Sequence, residues 1–311
     1  MSVRLIAALL AAAAALSATA AAPAGARGSC NESCLTSLAD RTMTAVAGQD
    51  WRSLPWADPA RYTENNVPLM IGDAWWGSAG ETPGHKAFAI ADEETGNVVW
   101  FGTIWDHGEP SFGAIRIHAP DGKVHGMEVV AGRTPWPMPF GDPKAFAIPA
   151  SMTAVVAAKD RRSRERLIDI ADSYLATKQA NNGALLADFA PNCAMIENGV
   201  QITGVESDYA PKARDCASVF KEGLFAPVQR IRDRRFPVVD PVRGLVVAIS
   251  VQDVPAREPT FFTTGGKQLR LKRDYPISRL VAELVRIEGD KVVRAEGVVT
   301  SLPYYMPTPW K

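Results

Sequence analysis

Residues 61–72, Arg-Tyr-Thr-Glu-Asn-Asn-Val-Pro-Leu-Met-Ile-Gly, and residues 192–204, Asn-Cys-Ala-Met-Ile-Glu-Asn-Gly-Val-Gln-Ile-Thr-Gly, share one plan. Each has an extended run, a Glu-Asn pair (Glu64-Asn65, Glu197-Asn198), a turn former, a second apolar run and a closing glycine. That order predicts a strand, a tight turn and a strand, with the polar pair at the bend. The flanking stretches also match, so the chain reads as two copies of one unit. Glu64 and Glu197 lie 133 positions apart. Lys123-Val124 with Glu128 matches Lys291-Val292 with Glu296 at a spacing of 168, so the second copy carries 35 extra residues. They fit the turn-rich segments 205–243 and 252–275.

In the first copy, Asn31 is placed to cap a helix ending near Ala47, with Gly48 as its stop. Strands are expected at 87–92, 98–105, 112–119 and 123–130, the last pair joined through Pro120-Asp121-Gly122. In the second copy, Ser163 caps a helix that presents Leu167, Ile170, Ala171, Tyr174 and Leu175 on one face. Strands follow at 245–251, around 269–271, at 280–287 and at 291–299. The predicted class is α+β, with a strongly bent antiparallel sheet in each of two tandem units. Their expected bounds are 31–132 and 160–311, joined by a proline-rich linker at 133–159.

The 34 basic residues balance the 34 acidic ones, which gives no bulk charge for nucleic acid or an anionic membrane. Residues 1–26 read as a secretory signal: Arg4, an apolar Leu/Ala run over 5–16, then small-residue sites. That run is short for a membrane span, so the expectation is an exported protein, periplasmic or extracellular, with no membrane anchor. Four cysteines in an exported chain suggest two disulfides, Cys193 with Cys216 and Cys30 with Cys34. The second pair is spaced near the limit of disulfide geometry. No Cys-x-x-Cys occurs, no histidine lies near the cysteines, and the four histidines are scattered, so no metal centre is expected. Nor is there a phosphate-binding glycine loop or a Gly-x-Ser-x-Gly elbow, and no cofactor is expected.

Several phrases together carry a family resemblance: Tyr62-Thr63-Glu64-Asn65-Asn66; the strand Asp-Gly-Lys-Val-His-Gly-Met-Glu-Val-Val over 121–130; Cys193 ahead of Glu197-Asn198-Gly199; Arg234-Arg235 with Val239-Asp240; and Pro303-Tyr304 with Trp310. On these the chain resembles the nuclear transport factor 2-like superfamily, to which SnoaL-like cyclases and ketosteroid isomerase belong. More narrowly it resembles an exported two-module family found in bacteria and fungi. The resemblance implies two cone-shaped domains, each a curved sheet wrapped around helices over an apolar cavity. It further implies that the cones pack sheet back to sheet back as a pseudo-twofold dimer, and it leaves a homo-oligomer open. A fold of this kind hosts many functions.

In ketosteroid isomerase an aspartate base occupies roughly the first hairpin, where this chain has Glu64 or Asn65. If Glu64 faces the cavity, burial suits it to move protons; if Asn65 does, it can only orient or polarise. The alternative is that Glu-Asn ties down the turn in both copies. His107 is the candidate acid–base partner, in which case Asp106 faces away. Tyr62, Trp75, Trp76 and Trp105, with His118 on the neighbouring hairpin, are the candidate lining of a substrate pocket. Glu197 and Asn198 are the second-copy equivalents, there read as a degenerate scaffold. The expected function is a cofactor-independent acid/base enzyme, an isomerase, dehydratase or lyase. Its substrate is a small hydrophobic, aromatic or polycyclic molecule in the first-copy pocket. The alternative is a non-catalytic exported binding protein.

Overall fold

The computed structural model describes residues 29–80, 87–133, 139–203, 215–255, 260–271 and 273–310; the expected leader lies outside these. The chain begins with helix α1 (Glu32–Ala47), capped by the Asn31 side chain, which accepts from the Cys34 amide at 3.0 Å. Strands β1 (Trp56–Glu64) and β2 (Val67–Leu69) form the first hairpin, followed by the single-turn helix α2 (Trp75–Ser78). Then come β3 (Ala79–Gly80), β4 (Phe88–Asp92), β5 (Asn97–Asp106), β6 (Glu109–His118) and β7 (Val124–Gly132). After the short α3 (Ala150–Thr153), α4 (Arg164–Ala180) leads into the second hairpin, β8 (Asp188–Glu197) and β9 (Val200–Gln201). The rest is α5 (Cys216–Lys221), β10 (Arg230–Asp240), β11 (Leu245–Val254), the small hairpin β12 (Thr260–Phe262) and β13 (Gln268–Arg270), β14 (Ile277–Glu288) and β15 (Lys291–Leu302).

The protein is α+β, with two large sheets that share one pairing scheme. The first runs β4-β5-β6-β7-β1-β2, with β3 also on β5; the second runs β10-β11-β14-β15-β8-β9. In each, an antiparallel meander is closed by the hairpin strand lying parallel to the last strand. Glu64 sits opposite Val129 in one sheet and Glu197 opposite Gly297 in the other. Register shifts in β1, β8, β10 and β15 insert the bulges that bend the sheets. Helix α1 rests on β3, β4 and β5; α4 rests on β10, β11, β14 and β15.

The central strands have two buried faces, which is why β14 is buried over its whole length except Glu288. Its Ile277, Val281, Val285 and Ile287 face α4, together with Val246 and Ala248 of β11 and Cys193 and Met195 of β8. Its Leu280, Ala282 and Leu284 point the other way. There they share a core with Val99, Phe101, Phe112, Ala114 and Val130 of the first sheet. Polar contacts cross this seam too. Arg235 grips Glu128 bidentately at 2.8 and 2.8 Å, and Arg164 reaches Asp92 at 2.6 Å.

The segment following each sheet lands on the hairpin of the other. Asn198 donates to the Pro139 carbonyl at 3.0 Å, and the Gly141 amide donates to the Asn198 carbonyl at 2.8 Å. In return Asn66 donates to the Pro307 carbonyl at 2.8 Å, and the Trp310 indole donates to Thr63 at 2.9 Å. Pro139 and Pro307 are separated by the same 168 positions that separate Glu128 and Glu296. Both cysteine pairs form disulfides, Cys30–Cys34 in the first turn of α1 and Cys193–Cys216 between β8 and α5. No helix among the described residues is long and apolar enough to cross a membrane.

Candidate functional site

Both hairpins turn through two residues of positive φ, Asn65 and Asn66 (45° and 68°) and Asn198 and Gly199 (45° and 71°). Such turns match the twist of the flanking strands and favour Asn and Gly. The leading Asn then uses its side chain as a surrogate strand residue. Asn65 accepts from the Ala131 amide at 2.8 Å and donates to the Ala131 carbonyl at 3.2 Å. Asn198 makes the same two bonds to Val299, each at 2.8 Å. Both ends of the amide are therefore occupied by backbone, and the preceding glutamate is the residue that turns inward.

Glu64 is held on several sides. Its Oε1 pairs with Arg133 at 2.6 Å, and its Oε2 accepts from the Trp75 amide at 2.8 Å and the Tyr62 hydroxyl at 3.4 Å. Burial, followed by the charge of Glu64, raises the Tyr62 pKa far above its ordinary value, which keeps Tyr62 a proton donor. Arg133 also bonds Asp106, which accepts from Ser78 as well. Burial opposes ionisation of Asp106, but the bonds from Ser78 and Arg133 outweigh it, and its pKa is lowered.

The other sequence candidates are dispersed. Asp106, with 1% of its side chain exposed, is the inward member of its pair, and His107 is 79% exposed in a turn, the reverse of the expected arrangement. Tyr62, Trp75 and Trp76 are packed within the first interior. Trp105 and His118 fall on the alternate positions of β5 and β6, facing away from Ile104, Ile115 and Ile117 of that interior. The sheet itself keeps these two from joining the other aromatics in one wall.

The inner face of the second sheet is chemically different. Its pairing aligns Ala248, Glu283, Gly297 and Glu197 in one row across β11, β14, β15 and β8. The corresponding row of the first sheet is Trp100, Ile115, Val129 and Glu64. Two carboxylates thus flank a glycine, and a Cβ on Gly297 would approach Glu283 Cγ to 2.9 Å. Above them, from α4, Lys178 Nζ lies 2.8 Å from Glu283 Oε1 and 3.6 Å from Glu197 Oε1. Tyr174, one turn earlier, donates to the same Glu283 oxygen at 3.0 Å. Burial and the charges of Glu283 and Glu197 hold the Tyr174 pKa well above normal. Arg279 donates to Glu197 Oε2, and Gln252 sits beside Arg279 in register. Lys178 has no exposed side-chain surface, and Glu283 and Glu197 have only 2% and 3%. Tyr174, Phe189, Phe220 and Phe225 form an aromatic cluster beside them.

This cluster is incompletely satisfied. Among the described residues, Glu283 Oε2, Glu197 Oε1, Arg279 Nε, Ser250 Oγ and both polar atoms of Gln252 are buried without a hydrogen-bond partner. Native interiors pair almost all such groups, and each orphan costs about 1–3 kcal/mol. Their concentration on one sheet face marks a place suited to receive a polar group. Chemically, the row offers carboxylate oxygens able to accept a proton, a cation beside them and a separate set of donors.

Sequence reading favoured the first copy and passed over Lys178, Arg279, Glu283, Gln252 and Ser250. Two signals were present. Arg279 and Glu283 place two charges on one face of a mainly apolar strand, four positions apart, and Lys178 continues the buried Tyr174 stripe by one helical turn. Among the described residues, no group of His, Cys, Asp and Glu has the arrangement of a metal site.

Residues 160–299 match the family described as a domain of unknown function (DUF8021). No curated protein matches the sequence. Among solved structures, an NTF2-like protein from Cytophaga hutchinsonii is similar at 12% identity over 45% of this chain and 99% of that chain, with a TM-score of 0.28. A likeness that slight adds nothing to the fold drawn from the strand pairing.

Proposed function

We propose that the chain is an exported small-molecule-handling protein made of two nuclear transport factor 2-like cones in pseudo-twofold contact, with its working site inside the second cone. The chemistry is cofactor-independent proton transfer on a small hydrophobic molecule, of the isomerase, dehydratase or lyase type. One observation carries this reading: Glu283 and Glu197 flank Gly297 beneath Lys178, wholly buried, with a carboxylate oxygen of each left without a hydrogen bond. Glu283 Oε2 takes the proton from the substrate carbon, and Lys178 steadies the negative charge that this leaves. Tyr174 and Lys178 hold the other Glu283 oxygen and so fix the base in position. Arg279 and Gln252 anchor the oxygen head of the substrate.

The duplication is supported by the matched strand orders, the hairpins with identical asparagine docking and the reciprocal contacts after each sheet. Export is supported by the two disulfides and by the pattern of the first 26 residues. The first cone is the less suitable site because Glu64 is already bound by Arg133, Trp75 and Tyr62.

The test is a thermal-shift screen of hydrophobic metabolites, followed by turnover assays on the hits. Glu283→Gln is expected to keep the fold and to lower turnover by about 100-fold or more, in the range of a lost general base. Glu64→Gln, run in parallel, is expected to retain turnover. Saturable binding without turnover would replace the enzyme by a binding protein, and turnover indifferent to Glu283→Gln would remove the base assigned here.

A further inference from the structure

Among the described residues, the charges of the second interior do not cancel. Lys178, Arg279 and Arg273 are buried cations, whereas the buried carboxylates Glu197 and Glu283 pair with Lys178 and Arg279. Arg273 bonds the Tyr275 carbonyl and has no carboxylate partner among the described residues. Its burial, and then the like charge of Arg279, lowers its pKa. A buried surplus of positive charge is unfavourable unless something anionic meets it.

The orphan atoms separate into two sides. Around Gln252 and Arg279 the unpartnered groups include three donors, Arg279 Nε, Gln252 Nε2 and the Ser250 hydroxyl, beside one acceptor, Gln252 Oε1. On the Glu197–Gly297–Glu283 row they are acceptors only. Converging donors next to a guanidinium suit a carboxylate, while the acceptor row requires a C–H or O–H group next to it. The small Ala248 occupies the position that Trp100 fills in the first sheet, and the aromatics near Tyr174 suit an apolar body.

Resting on the site assigned above, we infer that its ligand is an apolar monocarboxylate. The carboxylate is bound by Arg279, Gln252 and Ser250, and the body lies toward the aromatics around Tyr174. Cationic ligands are rejected by Arg279 and Arg273, and neutral amides lose the charge that completes the balance.

Three probes with one body and different heads test this: phenylacetate, phenylacetamide and phenethylamine, followed by thermal shift and calorimetry on the full chain. Phenylacetate is expected to bind at least tenfold more tightly than the amide, and the amine not to bind. Gln252→Leu is expected to weaken phenylacetate at least tenfold while leaving the melting temperature unchanged or higher. Arg279→Gln, which also loosens Glu197, serves as the second variant and is read at a temperature where it is folded. Equal binding of amide and carboxylate, both weakened by Gln252→Leu, would overturn the ligand class and leave the site standing. So would a hit from the metabolite screen that is neutral and dependent on Glu283. Phenylacetate binding unaffected by either variant would place the carboxylate elsewhere and overturn the inference. No binding of any probe, with no Glu283-dependent hit from the wider screen, would remove both the ligand class and the site.

Discussion

Gly297 is needed for lack of a side chain rather than for an unusual backbone angle. A methyl group there meets Glu283 Cγ at 2.9 Å, inside a cluster pinned by Lys178 and Tyr174. Gly297→Ala is therefore expected to destabilise by about 1–3 kcal/mol, the usual range for overpacking, measured by urea unfolding. Gln252→Leu acts in the opposite sense, since it replaces two unpaired buried polar atoms with a side chain that needs no partner. Unfolding in urea is expected to show unchanged stability or a gain of about 1–2 kcal/mol. Asp106 gives a pH signature. Its folded pKa is lowered, so the stability it contributes is present above the ordinary aspartate value of about 4 and is lost as pH falls through the lower folded value. Asp106→Asn is expected to lower the melting temperature at neutral pH and to flatten its fall on the acid side. At this scale the sequence announced the hairpin glutamates because they recur in a recognisable phrase. It did not announce that Arg279 and Glu283 are buried, because which face of a strand is inner depends on the sheet and helix it packs against.

The hairpins were the most readable elements, since alternating apolar residues around Glu-Asn leave few ways to place a two-residue turn. What the pattern left open was whether Glu or Asn faces in, a one-position question that the docking of Asn65 on Ala131 and Asn198 on Val299 decides. Asn198→Ala removes two bonds to Val299 and one to Pro139. The expected loss is about 2–4 kcal/mol, larger than for an ordinary turn residue, because the backbone groups left behind are buried. The Cys193–Cys216 bridge ties β8, which carries Glu197, to α5 across a sequence separation of 23. Replacing both cysteines by alanine is expected to cost about 3 kcal/mol, followed by thermal melting under non-reducing conditions. The pairing of these two cysteines was readable, because one sits against the hairpin and the other in the loop that follows it. The short helix at Trp75 has no side-chain cap; the preceding Ala74 takes a positive φ.

At the scale of the molecule, a bidentate polar link between the sheets is Arg235 on Glu128, with Arg116 also 3.6 Å from that carboxylate. The neighbouring Arg234 instead pairs with Asp172 of α4. Sequence reading could not separate these two adjacent arginines, one directed across the seam and one within its own half. Arg235→Ala leaves Glu128 buried with weakened compensation and is expected to cost about 3–5 kcal/mol. Global unfolding should then lose cooperativity, the two halves melting apart, if a calorimetric trace is followed. The apolar seam has no signature in the sequence, because strands with two buried faces show no alternation to betray which side meets the other sheet.

The crossed segments after each sheet have a topological consequence. Because 139–141 lies on the second hairpin and 307–310 on the first, each half is latched by a piece of chain that continues from its neighbour. Cleaving the backbone once within 142–160 would therefore separate the molecule on paper but not in solution. The two fragments are expected to co-elute as one particle on a sizing column and to come apart only in denaturant.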